Sequence, residues 1–183
     1  MSLKGIGDFC GTNLAGIKEA WLGQHSDFVV TPEKDSKGEA INSVATIAKK
    51  EGATDGKLYH YAFAKQTGSL TSTITIDEAN GVRYYTNEVN LQFNKLEAGK
   101  HAEIEALAAG KLIGIIHDNN DEFWLVGWDG YLSATAVTAQ TGQAYGDHNG
   151  YETTMSAMSA KLPLSITEEQ FEALKDTDTE DDL

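Results

Sequence analysis

The chain contains little cysteine and little proline, with Cys10 as its single cysteine and only two prolines among 183 residues. One cysteine excludes an internal disulfide framework and is typical of a protein made in a reducing cytosol. Two prolines exclude a proline-rich linker. No run approaches the roughly 18 apolar residues of a membrane-spanning helix. The N-terminus also lacks the apolar stretch of about 7–15 residues that marks a secretory signal. We therefore expect a protein that neither enters a membrane nor follows the general secretory route.

Positive charge is also scarce, because 14 Lys and Arg stand against 28 Asp and Glu, which gives a net charge of −14. The segment from Glu168 to Asp182 holds eight acids and one base and so contributes −7, half of the total. A chain this acidic is not expected to grip nucleic acid by neutralising phosphates. It remains compatible with a surface along which nucleic acid slides without adhering.

What the sequence does contain is a strong alternation of polar and apolar residues from Ser69 to Phe93, interrupted by Asn80-Gly81. A period of two predicts half-buried strands, and Asn-Gly is a strong hairpin signal. The apolar face of this long hairpin is predicted to face the core or another subunit and contains Leu70, Ile74, Ile76, Val89, Leu91 and Phe93. The other face is unusually rich in hydroxyl and amide groups and contains Thr71, Thr73, Thr75, Thr86, Glu88, Asn90 and Gln92.

The remaining pattern predicts further strands and two helices. We expect an N-terminal arm over residues 1–25 with one short strand at 16–21. Further strands are predicted at 27–32, where Pro32 should end the ladder, and at 40–48, 57–65, 112–117, 122–128, 131–139 and 151–164. A helix is predicted from Ala98 to Ala109, with Gly110 at its end.

The C-terminus has a helix-start signature. Thr167 can cap a short helix running to about Leu174, with Gln170 reaching back and Ile166 packing on Phe171. The acidic residues beyond it are predicted to be disordered. The sequence therefore predicts a mainly β fold, a β-sandwich or small barrel with a long β-hairpin, one flanking α-helix and a short C-terminal helix. Residues 1–166 would form one domain, and residues 167–183 the short helix and tail.

No motif in the chain predicts catalysis, a metal site or a cofactor. The stretch HDNNDEF, from His117 to Phe123, resembles the start of a calcium loop, but Phe123 stands where such a loop needs Gly and Asp129 where it needs Glu. A hairpin turn explains it better. Asp147-His148 lacks a recognisable nucleophile, and no phosphate-binding or hydrolase motif is present. We expect the protein not to be an enzyme.

An aromatic cluster follows this turn and comprises Phe123, Trp124, Trp128 and Tyr131. Such residues can stack on sugars or bases, but no basic side chains are interleaved with them. Core packing or a subunit interface is therefore the favoured interpretation. A carbohydrate- or protein-binding β-sandwich, in a decoration or adhesion role, stays open as an alternative.

The run from Leu58 to Leu164 resembles the major tail tube proteins of tailed bacteriophages. The resemblance rests on the long polar and apolar hairpin, the strand end LQFNKL, a helix of the form IEALAAGKL and the strand pair that follows. It implies a structural virion protein, made in the host cytoplasm, that self-assembles into stacked hexameric rings. A tube protein of a secretion or bacteriocin-like apparatus would share this fold.

The resemblance also implies roles for individual segments. The hairpins of neighbouring subunits would pair into a continuous inner barrel, whose lumen carries DNA without specific binding. The polar hairpin face would line that lumen. The N-terminal arm, the loop at 49–56 and the acidic tail would contact stacked rings. A tape measure protein and tail-end proteins are the further partners that the resemblance implies, and no membrane is involved.

Overall fold

A computed structural model describes residues 6, 7, 10–38 and 40–175. The acidic run from residue 176 to 183, predicted to be disordered, lies outside the described residues. Within them the chain is mainly β, with one flanking α-helix and one short C-terminal helix.

The described residues form eleven strands, two α-helices and a short 3-10 turn at His25–Asp27. The strands are β1 (Ile17–Gln24), β2 (Phe28–Lys34), β3 (Ala40–Lys49), β4 (Tyr59–Tyr61), β5 (Ser69–Asp77), β6 (Val82–Asn94), β7 (Leu112–Asp118), β8 (Phe123–Val126), β9 (Ser133–Gln140), β10 (Gly150–Ser159) and β11 (Leu164–Ile166). The helices are α1 (Ala98–Ala109) and α2 (Glu168–Glu172).

Two sheets enclose the main core. The larger has seven strands in the order β2-β3-β11-β8-β7-β1-β4, and the smaller has four in the order β5-β6-β10-β9. Apolar side chains that alternate along β6, β10, β1 and β7 meet between the sheets, among them Val89, Leu91, Met155, Leu22 and Ile116. The period-two pattern therefore places one face of each strand on this core.

The predicted hairpin is confirmed as the antiparallel pair β5 and β6. Ser69 pairs with Asn90, and the register continues without a shift to Asp77 opposite Val82. Gly81 has a φ of 65°, which the turn requires and which glycine adopts without strain. The Asp77 carboxylate accepts hydrogen bonds from the backbone and side chain of Asn80 at 3.2 and 2.7 Å, so the turn is stabilised locally.

Strand β7 explains why the sequence reads LIGII without alternation. Leu112 and Ile116 face the core between the sheets, whereas Ile113 and Ile115 face a second apolar cluster on the other side of the seven-stranded sheet. A strand that is buried on both faces needs apolar residues at every position.

Helix α1 has the predicted limits and closes one side of the two-sheet structure. Ile104 and Leu107 are buried in the main core, and the helix packs against β9. The hydroxyl of Tyr61, on β4, donates to the Glu103 carboxylate at 2.5 Å. Burial and that carboxylate raise the pKa of Tyr61, so the hydroxyl keeps its proton. The helix therefore bridges β9 and β4, which are edge strands of the two sheets.

The predicted capping signature of α2 is also confirmed. The Thr167 hydroxyl accepts from Gln170 N at 3.2 Å, and the Gln170 side chain accepts from Thr167 N at 3.0 Å. Ile166 and Phe171 lie in one apolar cluster. The Phe171 ring stacks on Phe123 with centroids 4.9 Å apart, so α2 covers the outer face of the seven-stranded sheet. The helix ends at Glu172, two residues before the predicted end.

Four strand predictions differ from the structure. The strand predicted at 151–164 ends at Ser159, and Leu164–Ile166 forms the separate strand β11. The short strand predicted at 16–21 within the N-terminal arm is confirmed as β1, but it extends to Gln24 and is an inner strand between β7 and β4, with buried Ile17, Ala20 and Leu22. Strand β2 continues past Pro32 to Lys34 because the register shifts at that residue. The strand predicted at 57–65 is reduced to Tyr59–Tyr61, which pairs only with β1.

No helix among the described residues combines the length and the apolar character that crossing a membrane requires.

Candidate assembly surface

The polar face predicted on the β5–β6 hairpin continues across the two other strands of the four-stranded sheet. The register of β10 on β6 places Glu152 opposite Gln92, Thr154 opposite Asn90 and Ser156 opposite Glu88. Strand β9 extends this face with Thr138, opposite Glu152. The seven residues predicted for this face all lie on it. Glu152 also lies on it, although the sequence did not indicate this residue.

Basic side chains are missing from this face in all four strands, each of which lies wholly within the described residues. Their single base, Arg83, pairs with Ile76 and so points to the opposite face. Glu88 and Glu152 give the polar face a negative charge. Along these four strands the face carries carboxylates, hydroxyls and amides but no Lys or Arg, and His148, in the loop before β10, contacts Glu152 at 3.4 Å.

Hydrogen bonds join these polar side chains to one another, both along β6 and between neighbouring strands. Asn90 Nδ2 donates to Glu88 Oε1 at 3.0 Å, and Thr154 Oγ1 donates to Asn90 Oδ1 at 2.7 Å. Gln140 Nε2 donates to Glu152 Oε1 at 3.3 Å. Such mutual bonds leave an even, wetted surface rather than a pocket with convergent groups.

The apolar face of the hairpin is only partly a core. Val89, Leu91 and Phe93 are buried, and Leu70 is half-buried. Ile74 and Ile76, predicted to belong to the core or to an interface between subunits, are 39% and 60% exposed. The hairpin therefore extends beyond the core of the chain, and two exposed isoleucines lie near its end.

The edge strands of the two sheets differ in length and in regularity. The seven-stranded sheet ends at β2, which carries Pro32 and a register shift, and at β4, which is only three residues long. These are ordinary ways to prevent pairing with another chain. The four-stranded sheet ends at β5 and β9, of nine and eight residues, which carry neither proline nor lysine. Among the described residues no further strand pairs with β5 or β9, so both edges of this sheet are open to pairing.

A groove runs beneath the β5 edge, between the two sheets. It encloses about 710 Å³ and is lined by Leu70 of β5, Trp124 of β8, Leu14 and Leu162, together with polar side chains. Leu14 and Leu162 are 55% and 39% exposed. The sheets are thus open on the side opposite α1.

The aromatic residues predicted to form an interface do not form one exposed platform. Phe123 is buried in the outer cluster, against which Trp128 packs, whereas Trp124 packs against the main core from the other face of β8. The Trp124 Nε1 donates to Asp118 Oδ2 at 3.0 Å. Tyr131 is 45% exposed, beside Lys111.

The His117–Phe123 stretch is the predicted hairpin turn, between β7 and β8. Asp118 Oδ1 accepts from Asn120 N at 2.7 Å and from Glu122 N at 3.0 Å. Lys18 donates to Asp121 at 3.1 Å and holds the pKa of that carboxyl below its ordinary value. Among the described residues, no group of three or more His, Cys, Asp and Glu side chains is placed to hold a metal ion.

The turn has a second role that the sequence did not indicate: it binds the segment that precedes β1, at Leu14 and Ala15. Asn120 Oδ1 accepts from Leu14 N at 2.8 Å, and Asn119 Nδ2 donates to Ala15 O at 2.7 Å. Leu14 is thereby fixed at the mouth of the groove. Because the partners are more than 100 residues apart, no local pattern could have indicated the contact.

Comparisons with protein-family models, with curated proteins and with solved structures gave no match.

Proposed function

We propose that this chain is a structural protein whose copies join side by side into rings, and that the rings stack into a hollow tube of the kind found in bacteriophage tails. The observation that carries the proposal is the four-stranded sheet, which combines a base-free polar face with two open edges. The protein would be synthesised in the host cytoplasm and would then become part of the virion.

Pairing of β5 with β9 of the next copy would remove both open edges at once. The four strands are antiparallel throughout, so β5 and β9 run in opposite directions. A rotation that carries one copy onto the next therefore brings β5 beside β9 in an antiparallel pair. Repeating that rotation closes a cyclic homo-oligomer and leaves a barrel without edges.

The size of such a barrel suits the passage of DNA. Six copies, the number that the resemblance implies, would contribute about 24 strands, spaced about 4.8 Å apart. The diameter between backbones would be about 37 Å for upright strands and about 48 Å at the tilt of roughly 40° usual in barrels. With the polar face turned inward, Glu88 and Glu152 would repeat around the lumen and repel phosphate.

The first test is the size and shape of the purified protein. Light scattering over a range of concentrations, with negative-stain microscopy of the same samples, should show rings or tubes with a central hole. A protein that stays monomeric at the highest concentration reached would refute the proposal.

A second test addresses the lumen. Gln92→Lys places a base on the polar face in β6, away from both sheet edges, and should leave assembly intact while adding salt-dependent retention of DNA. Ala173→Lys, on the exposed end of α2, is the matched control for added charge. Equal DNA retention by the two variants would show that the polar face does not line the passage.

A further inference from the structure

The two lateral sides of the protomer are built differently, and the difference is complementary. On the β9 side, α1 lies across the opening between the sheets and bridges to β4 through the bond from Tyr61 to Glu103. On the β5 side no described element covers the opening, and the groove lined by Leu14, Leu70, Trp124 and Leu162 remains.

The surface that α1 turns outward is unusual for a solvated helix. Ile104 and Leu107 point into the core, and the opposite face consists of Ala98, Ala102, Glu105, Ala106 and Ala109, all exposed. Outer helix faces normally carry charged or long polar side chains. Four alanines instead allow another surface to approach the helix closely.

The ring geometry of the proposed function brings these two surfaces together. If β9 of one copy pairs with β5 of the next, the helix beneath β9 arrives beside the opening beneath β5. We infer that α1 of each copy closes the groove of its neighbour, so that the second copy is the occupant of the groove. This inference rests on the proposed function and goes beyond it by naming α1 and the groove as the surfaces in contact behind the paired strands.

The closure would cover apolar side chains that the single protomer leaves in water. Leu14 and Leu162 are 55% and 39% exposed, and Leu14 is held at the groove by Asn120. Each would gain an apolar neighbour in the ring. Strand pairing alone would leave the groove open to solvent on the outside of the barrel.

The test combines a substitution with a cross-link. Ala102→Arg places a long cation on the exposed outer face of α1, so the free protomer should keep its unfolding midpoint. The concentration needed for ring formation should rise by at least about tenfold, because a long side chain on this face of alanines prevents the close approach that packing against Leu14 and Leu162 requires. Ala173→Arg, exposed at the end of α2, is the matched control and should assemble as the wild type does.

For the cross-link, Cys10 is first replaced by Ser. Ala102→Cys together with Leu162→Cys should then give disulfide-linked multimers under oxidation, and Ala173→Cys with Leu162→Cys should not. Rings that form normally in Ala102→Arg, or equal cross-linking by the two pairs, would overturn this inference alone. Absence of any association in the wild type would overturn the proposed function and this inference together.

Discussion

The uncovered end of the hairpin gives the sharpest test of assembly. Ile76 is 60% exposed, and full burial of an isoleucine side chain is worth about 1.5–3 kcal/mol. Covering the exposed three fifths in a ring would therefore contribute about 1–2 kcal/mol at each contact. On the same scale, the two fifths of the side chain that the single chain already buries contribute about 0.6–1.2 kcal/mol to its own stability.

Ile76→Ser should therefore separate assembly from folding. The free energy of unfolding should fall by no more than about 1 kcal/mol, because only two fifths of the side chain is buried in the single chain. The concentration at which rings form should rise about 5- to 30-fold, which is the same 1–2 kcal/mol expressed as an equilibrium constant. Sedimentation velocity over a dilution series measures the second quantity and urea unfolding the first.

The control is Leu91→Ala; the Leu91 side chain lies in β6 on the same face of the sheet as Ile76 and is 2% exposed. Removing it from the core should cost about 2–5 kcal/mol of protomer stability. The reasoning fails if Ile76→Ser destabilises the protomer as much as Leu91→Ala does, or if its ring-forming concentration equals that of the wild type.

Three further expectations concern single side chains. Glu88→Gln should leave stability within about 0.5 kcal/mol and assembly unchanged, by urea unfolding and microscopy; loss of rings would show that the carboxylate makes a contact. Thr167→Ala should cost about 1 kcal/mol in urea unfolding, because Gln170 N loses its acceptor, while Thr138→Ala, on an exposed strand, should cost less. Backbone N–H groups of Gly56 and Asp55 hold the pKa of Asp27 below its ordinary value. That stability is present above about pH 4 and is lost as pH falls through the lowered pKa. The deficit of Asp27→Asn should therefore be largest near neutral pH and shrink in acid, and a deficit independent of pH would contradict the assignment.

Several elements could be read from the sequence because their signals are local. Alternation and Asn80-Gly81 predict the β5–β6 hairpin, and the α1 limits follow from its apolar spacing and Gly110. The capping box at Thr167 involves residues three apart. In each case the physical cause, a period, a turn conformation or a cap, lies within a few neighbouring residues.

Other features depend on which distant strands become neighbours. The sequence predicted a short strand at 16–21 within a terminal arm, but pairing with β7 and β4 makes this strand an inner member of a sheet. It placed Ile74 and Ile76 in the core or at an interface between subunits. The opposing sheet does not cover the end of the hairpin, so they are not part of the core.

The sequence by itself determined a polar strand face, its turn and its flanking helix, because side-chain direction in a strand alternates whatever the strand pairs with. Only the tertiary structure decided that β10 adds Glu152 to that face, that β5 and β9 are its open edges, and that α1 covers one side of the core and leaves a groove on the other. Strand order and sheet width arise from contacts between residues far apart in the chain. Local periodicity carries no information about them.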